Sequence, residues 1–284
     1  MNGLDNMSYP TTSDLLSSWS PFLLILSIAI IVLYLYLVGP ARTKFIDAEP
    51  VSYWKKTFFI SGIILFFLAE GSPINRLGHY LFLIHMTQQS IIYLAVPPLI
   101  LSGIPSWLIK PIFNNLHFYR VFTLFTKPLI SILLFNTIFS FYHIPFIFDT
   151  IMGNMFYMKL SIIVLLPAAF IMWWPIFSPI EGVGTLKPLY KIAYIFGMGI
   201  LLTPACALII FSKEILYDYY VGQPRLFGVS LLDDQQSGGV VMKIMQEIIY
   251  GSIIFFSFFQ WVKSERKKTE ELDRYNIEQA SKFN

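Results

Sequence analysis

Long apolar runs alternate with short polar, basic or proline-rich stretches along almost the whole chain. They cover Pro21–Val38 and then 55–70, 78–101, 127–143, 156–177, 189–212 and 239–262. Each run is near the roughly 20 residues a helix needs to cross the hydrocarbon core of a bilayer. The pattern therefore predicts a seven-helix transmembrane bundle forming one domain over 1–262, followed by a charged, helix-prone tail over 263–284. Pro97-Pro98, Pro128, Pro167 and Pro204 predict kinks or early helix ends. With Gly103, the prolines of the segment Ala95 to Pro105 are expected to end the third helix and turn the chain along the inner surface. Residues 1–19 are polar, carry Asp5 and Asp14 and have no Lys or Arg, so the first run reads as a retained helix rather than a cleaved secretory signal.

Composition agrees with the pattern. Of 284 residues, 56% are hydrophobic and 13% charged, about half the charged share of soluble domains, so the fold class expected is an all-α, polytopic membrane protein. The basic residues then orient it. Seven spans divide the 20 Lys and Arg into 15 on one set of connecting segments, with Arg76, Lys159, Lys213 and Arg225 on the other and Lys243 near the end of the seventh span. The positive-inside rule makes the basic set cytoplasmic, giving an N-out, C-in topology. The aromatic and basic stretch Trp107 to Arg120 reads as an interfacial segment rather than a nucleic-acid patch.

Within this apolar background a few residues stand out. His85, Gln88 and Gln89 share one face of the third helix, with Met86 about 100° round from His85. Polar groups at that depth are costly unless partnered, so the face is expected to point into the bundle. His143 closes the fourth span, and Asp149, Met152, Met155 and Met158 follow it. Met242, Lys243, Met245 and Glu247 open the seventh. In the predicted topology all lie toward the outer side, with His85 and His143 facing one another across the outer half. The plainer readings are a methionine stripe that fills gaps, a His143 that caps its helix, and a Glu247 paired with Lys243 at i,i+4. Cys206 is the single cysteine, which excludes an internal disulfide or a thiolate cage from this chain alone. No phosphate loop, HExxH or serine nucleophile elbow is present, so the protein is not expected to be an enzyme.

Five short motifs then occur in order: Ser72-Pro73; His85-Met86-Thr87-Gln88; the segment Ala95 to Pro105; His143-Ile144-Pro145 with Asp149; and Asp234-Gln235 leading to Gly238-Gly239. This order, over about 70–262, resembles the CtaG family of bacterial cytochrome c oxidase assembly factors. The resemblance implies a multi-pass protein of the bacterial plasma membrane whose partners are haem-copper terminal oxidase subunits. It further implies help with copper-site formation on the outer side. Copper is then the cofactor or cargo to consider, with His85, Met86 and His143 as candidate ligands. Gln88, Gln89, Asp149, Asp234, Gln235 and Glu247 would support them. The family often carries a second His where this chain has Gln89, and an amide is a poor copper ligand beside imidazole. Tyr142 stands where Trp is usual. The alternatives are a membrane copper permease and a haem-binding membrane enzyme with His85 and His143 as axial ligands.

Overall fold

A computed structural model describes residues 17–282; Asp5 and Asp14 lie outside them. The chain is 81% helical, and the described residues contain no strand. The helices are α1 (Pro21–Val38), α2 (Tyr53–Gly71), α3 (Pro73–Gly78), α4 (Phe82–Ser90), α5 (Val96–Gly103), α6 (Ser106–Ile109), α7 (Leu116–Phe125), α8 (Pro128–Tyr142), α9 (Pro145–Met152), α10 (Met155–Phe177), α11 (Pro188–Phe211) and α12 (Leu231–Lys282). Four of them, α1, α10, α11 and α12, are each long and apolar enough to cross a membrane. Two bent pairs raise the number to six: Phe82–Gly103 with Ser106–Asn114, bent by 96°, and α7 with α8, bent by 70°. These helices make the chain a membrane protein. The 19-residue α2 keeps its charges, Lys55, Lys56 and Glu70, near its two ends.

Outward faces are apolar and the interior holds the polar side chains, the distribution that hydrocarbon solvent imposes. Phe22, Phe146, Leu208 and Phe211 are exposed, whereas Ser131, Asn136, Gln235 and Gln246 are buried. The main packed pairs are α11 with α12, α2 with α5, α4 with α12 and α8 with α10. Gly238 makes the α4–α12 seam possible, because a β-carbon there would overlap the Phe82 ring and come within 3.1 Å of Met86 Cγ.

The third predicted helix is broken, though not where the prolines alone would break it. After α4, residues Ile91–Ala95 form a π-helical turn, and α5 then carries Pro97 and Pro98 in its first turn and runs on to Gly103. Proline tolerates a first turn because it has no N–H to place there. Pro97 leaves the carbonyl of Tyr93, four residues back, without its usual helical donor. The Trp173 indole N–H fills that role at 2.9 Å. The chain turns after Gly103, as expected. Pro167 and Pro175 sit inside α10 and Pro204 inside α11 without ending either helix.

Candidate functional site

The site is built around the start of α4. Its N-cap, Leu81, offers no side-chain acceptor, so the helix takes one from a distant element. The Asp234 carboxylate, 2% exposed in the first turn of α12, accepts from the backbone N–H of Phe82 at 2.9 Å and of Leu83 at 3.0 Å. Arg225 balances the buried charge at 3.6 Å and also donates to the Tyr80 carbonyl at 2.7 Å. An anion at a helix N-terminus satisfies free N–H groups and opposes the helix dipole. Asp234 thereby fixes the direction of the helix that carries His85.

His85 lines a small cavity of about 60 Å³ together with Glu70, Gln89, Tyr142, Met152 and Met158. Gln89, one turn on, brings its amide nitrogen to 2.9 Å from His85 Nε2, and the Tyr142 hydroxyl lies 3.2 Å from the same atom. That hydroxyl is also 3.9 Å from Met152 Sδ, and the Tyr142 ring lies parallel to the imidazole. One imidazole nitrogen, one phenol and one thioether are therefore contiguous. Gln89 Oε1 is buried without a partner. At the other side of the cavity Gln88 Nε2 donates to Glu70 Oε2 at 2.9 Å. His79, at the rim, pairs with the Tyr219 hydroxyl at 3.1 Å.

The three residues read as ligands from the sequence do not converge. Met86 is fully buried against Gly238 on the α12 side of its helix. His143 donates from Nδ1 to the Phe139 carbonyl at 2.8 Å and lines a separate apolar groove between α8 and α11. Tyr142 and Phe148 each contact both imidazoles, so they stand between the two rather than leaving them face to face. Among the described residues no three His, Cys, Asp or Glu side chains are grouped as a metal site.

The supporting residues are mostly clamps. Asp149 accepts from the N–H groups of Asp218 at 3.1 Å and Tyr219 at 3.0 Å, tying α9 to the 212–230 connection. Gln235 accepts from Leu216 N–H at 2.7 Å and donates to the Glu214 carbonyl at 3.2 Å. Glu247 pairs with Lys243 at 2.7 Å on an exposed face and is no part of the cavity. Of the methionine stripe, Met152 and Met158 line the cavity while Met155 is 67% exposed. Sequence reasoning missed Glu70 altogether; its signal was a carboxylate at the very end of an apolar run, two residues before the Ser72-Pro73 motif.

The family model for the cytochrome c oxidase caa3 assembly factor (Caa3_CtaG) matches residues 32–264. The chain belongs to this family. No curated protein and no solved structure matches it. The Caa3_CtaG match begins well before Ser72, so it takes in all of α2, including Glu70, as well as the five motifs. Within this family member those motifs have distinct structural tasks: Asp234 caps α4, Gln235 and Asp149 hold the 212–230 connection, and Gly238 admits Phe82.

Proposed function

We propose that this oxidase assembly factor handles monovalent copper on the outer side of the bacterial plasma membrane, for delivery to its haem-copper oxidase partner. The observation that carries the reading is the cavity that His85, Met152 and Met158 line together. An imidazole with two thioethers is a soft, neutral donor set, the kind that suits Cu(I) rather than a hard divalent ion. The Gln89 amide and the Tyr142 hydroxyl both lie against His85 Nε2, so cargo binding would require both to swing aside. Copper is here a cargo, and the role is assembly rather than catalysis. The cavity of about 60 Å³ gives a porphyrin no room beside His85, which disfavours the haem reading.

The topology proposed with it has seven spans, N-out and C-in, with α2 as the span whose three charges lie at its ends. That topology sets the cavity in the outer half of the bundle. In a Cys206→Ala background, a cysteine near residue 230 should label from outside and one near residue 270 only after permeabilisation. The functional test is the copper content and turnover of the oxidase made in a deletion strain complemented with wild type or with Met152→Leu/Met158→Leu. Full copper loading by that variant would refute the cavity reading, and copper flux into proteoliposomes would favour a permease.

A further inference from the structure

Glu70 is the one acidic side chain of the cavity, and its surroundings lack a counter-charge. Its Oε2 accepts from Gln88, and the Asn75 side chain also hydrogen-bonds to it. Among the described residues no ion pair reaches it: the pairs formed are Arg225–Asp234, Lys243–Glu247, Lys267–Glu271 and Lys268–Glu265. Both hydrogen-bond partners are neutral amides, which orient a carboxylate without neutralising it. Taking an unpaired carboxylate out of water costs several kcal/mol, and an ionisable group within a membrane protein is retained where it meets a partner or a pathway.

The charge balance of the proposed cargo runs the other way. His85, Met152 and Met158 are all neutral donors, so a monovalent cation held by them alone would leave one uncompensated positive charge in a low-dielectric interior. Glu70 lines the same cavity and brings the missing negative charge. A second, more open hollow of about 440 Å³ adjoins it and is lined by Arg76, Tyr80, Tyr219 and Gln223 among others, so an entering cation passes the Arg76 charge before it meets Glu70. The two share Asn75 and His79. The shared side chains, Asn75 and His79, stand between the outer hollow and the cavity that Glu70 and the soft donors line.

We infer that Glu70 is the charge-compensating residue of a cation entry site, receiving a monovalent soft cation from the Asn75–His79 hollow and neutralising it as His85 and the two methionines bind. The inference rests on the copper-handling reading above. It predicts a charge requirement at Glu70 that hydrogen bonding does not explain. Gln88→Leu removes a hydrogen-bond donor and leaves the carboxylate; Glu70→Gln removes the charge and keeps the shape.

The test is an anaerobic titration of the purified full chain with Cu(I) against a chromophoric Cu(I) chelator, with thermal unfolding as the folding control. Wild type is expected to take up one Cu(I). Glu70→Gln should weaken binding by about tenfold or more, about 1.4 kcal/mol, Glu70→Asp by less, and Gln88→Leu least. His79→Ala should slow loading without changing the final affinity. If Glu70→Gln fails to insert, Glu70→Ala and Glu70→Ser, which also remove the charge, decide: affinity equal to wild type in either folded variant overturns the inference. Unchanged affinity in a folded Glu70→Gln also overturns it, while loss of binding in Met152→Leu/Met158→Leu would leave the cavity reading standing. Absence of Cu(I) uptake by wild type would overturn both.

Discussion

His85 and His143 are the same side chain at the same exposure, 7% each, one inside α4 and one at the C-cap of α8, yet their surroundings offer different chemistry. His85 opens on a polar cavity in which its Nε2 meets an amide and a phenol, with a thioether next in line. His143 is fixed by a backbone carbonyl and enclosed by Phe139, Tyr142 and Phe148. Burial alone does not distinguish a working imidazole from a packed one; the neighbours of its second nitrogen do. For His143 that nitrogen is buried with no hydrogen-bond partner, a deficit that an imidazole tolerates better inside an aromatic cage than a charged group would.

The largest effect should come from removing the frame that the helix of His85 depends on. Asp234→Ala uncaps α4 and strands Arg225, and losing one member of a buried charge pair costs about 3–5 kcal/mol. Thermal unfolding in detergent should show a large drop, with Asp234→Asn recovering part of it. Next comes the comparison itself. His85→Ala should leave the protein inserted but cut oxidase copper content by about tenfold, the size of a lost ligand worth about 1.4 kcal/mol. His143→Ala should lower the unfolding temperature and leave copper loading near normal. Equal copper loss in both, with both folded, would mean that the imidazoles act together.

A smaller contrast separates the methionines. Met158→Leu should reduce copper loading severalfold, whereas Met155→Leu and Met86→Leu, being outside the cavity, should change it little; Leu for Met costs less than about 1.5 kcal/mol even in a core. The smallest effect is expected at Tyr142. Tyr142→Phe removes a hydroxyl worth about 1 kcal/mol of stability and leaves the Gln89 amide as the remaining polar neighbour of His85 Nε2, so Cu(I) affinity should rise slightly. A fall in affinity would make the phenol a participant in binding rather than an obstacle.

The helices were legible because lipid solvent writes a simple code: apolar runs of membrane length, prolines at their starts, and polar residues inside. Finer features followed from contacts that periodicity cannot express. The π-helical turn at Ile91–Ala95 depends on Trp173, 80 residues away, reaching the Tyr93 carbonyl. His85 was legible as a polar residue at depth. Its separation from His143 was not, because helix order and depth leave out the aromatic side chains that fill the space between. Met152 and Met158 looked like gap filler because thioethers pack as readily as they ligate; only the cavity wall distinguishes them from Met155. Glu70 was passed over because it ends a span, where a carboxylate ordinarily reaches water. Here the chain folds back through α3 and partly covers it.

The continuity of α12 has a mechanical consequence. Helix α12 runs unbroken for 52 residues, about 78 Å at 1.5 Å per residue, more than twice the thickness of a bilayer core. The carboxylate that aims α4 is near one end of this rod and the charged tail is at the other, with no hinge residue between them outside the helical ladder. A protein gripping the tail would hold a lever whose far end bears on Phe82 and Leu83. Tilting the rod would then shift the start of α4, and with it the wall of the cavity.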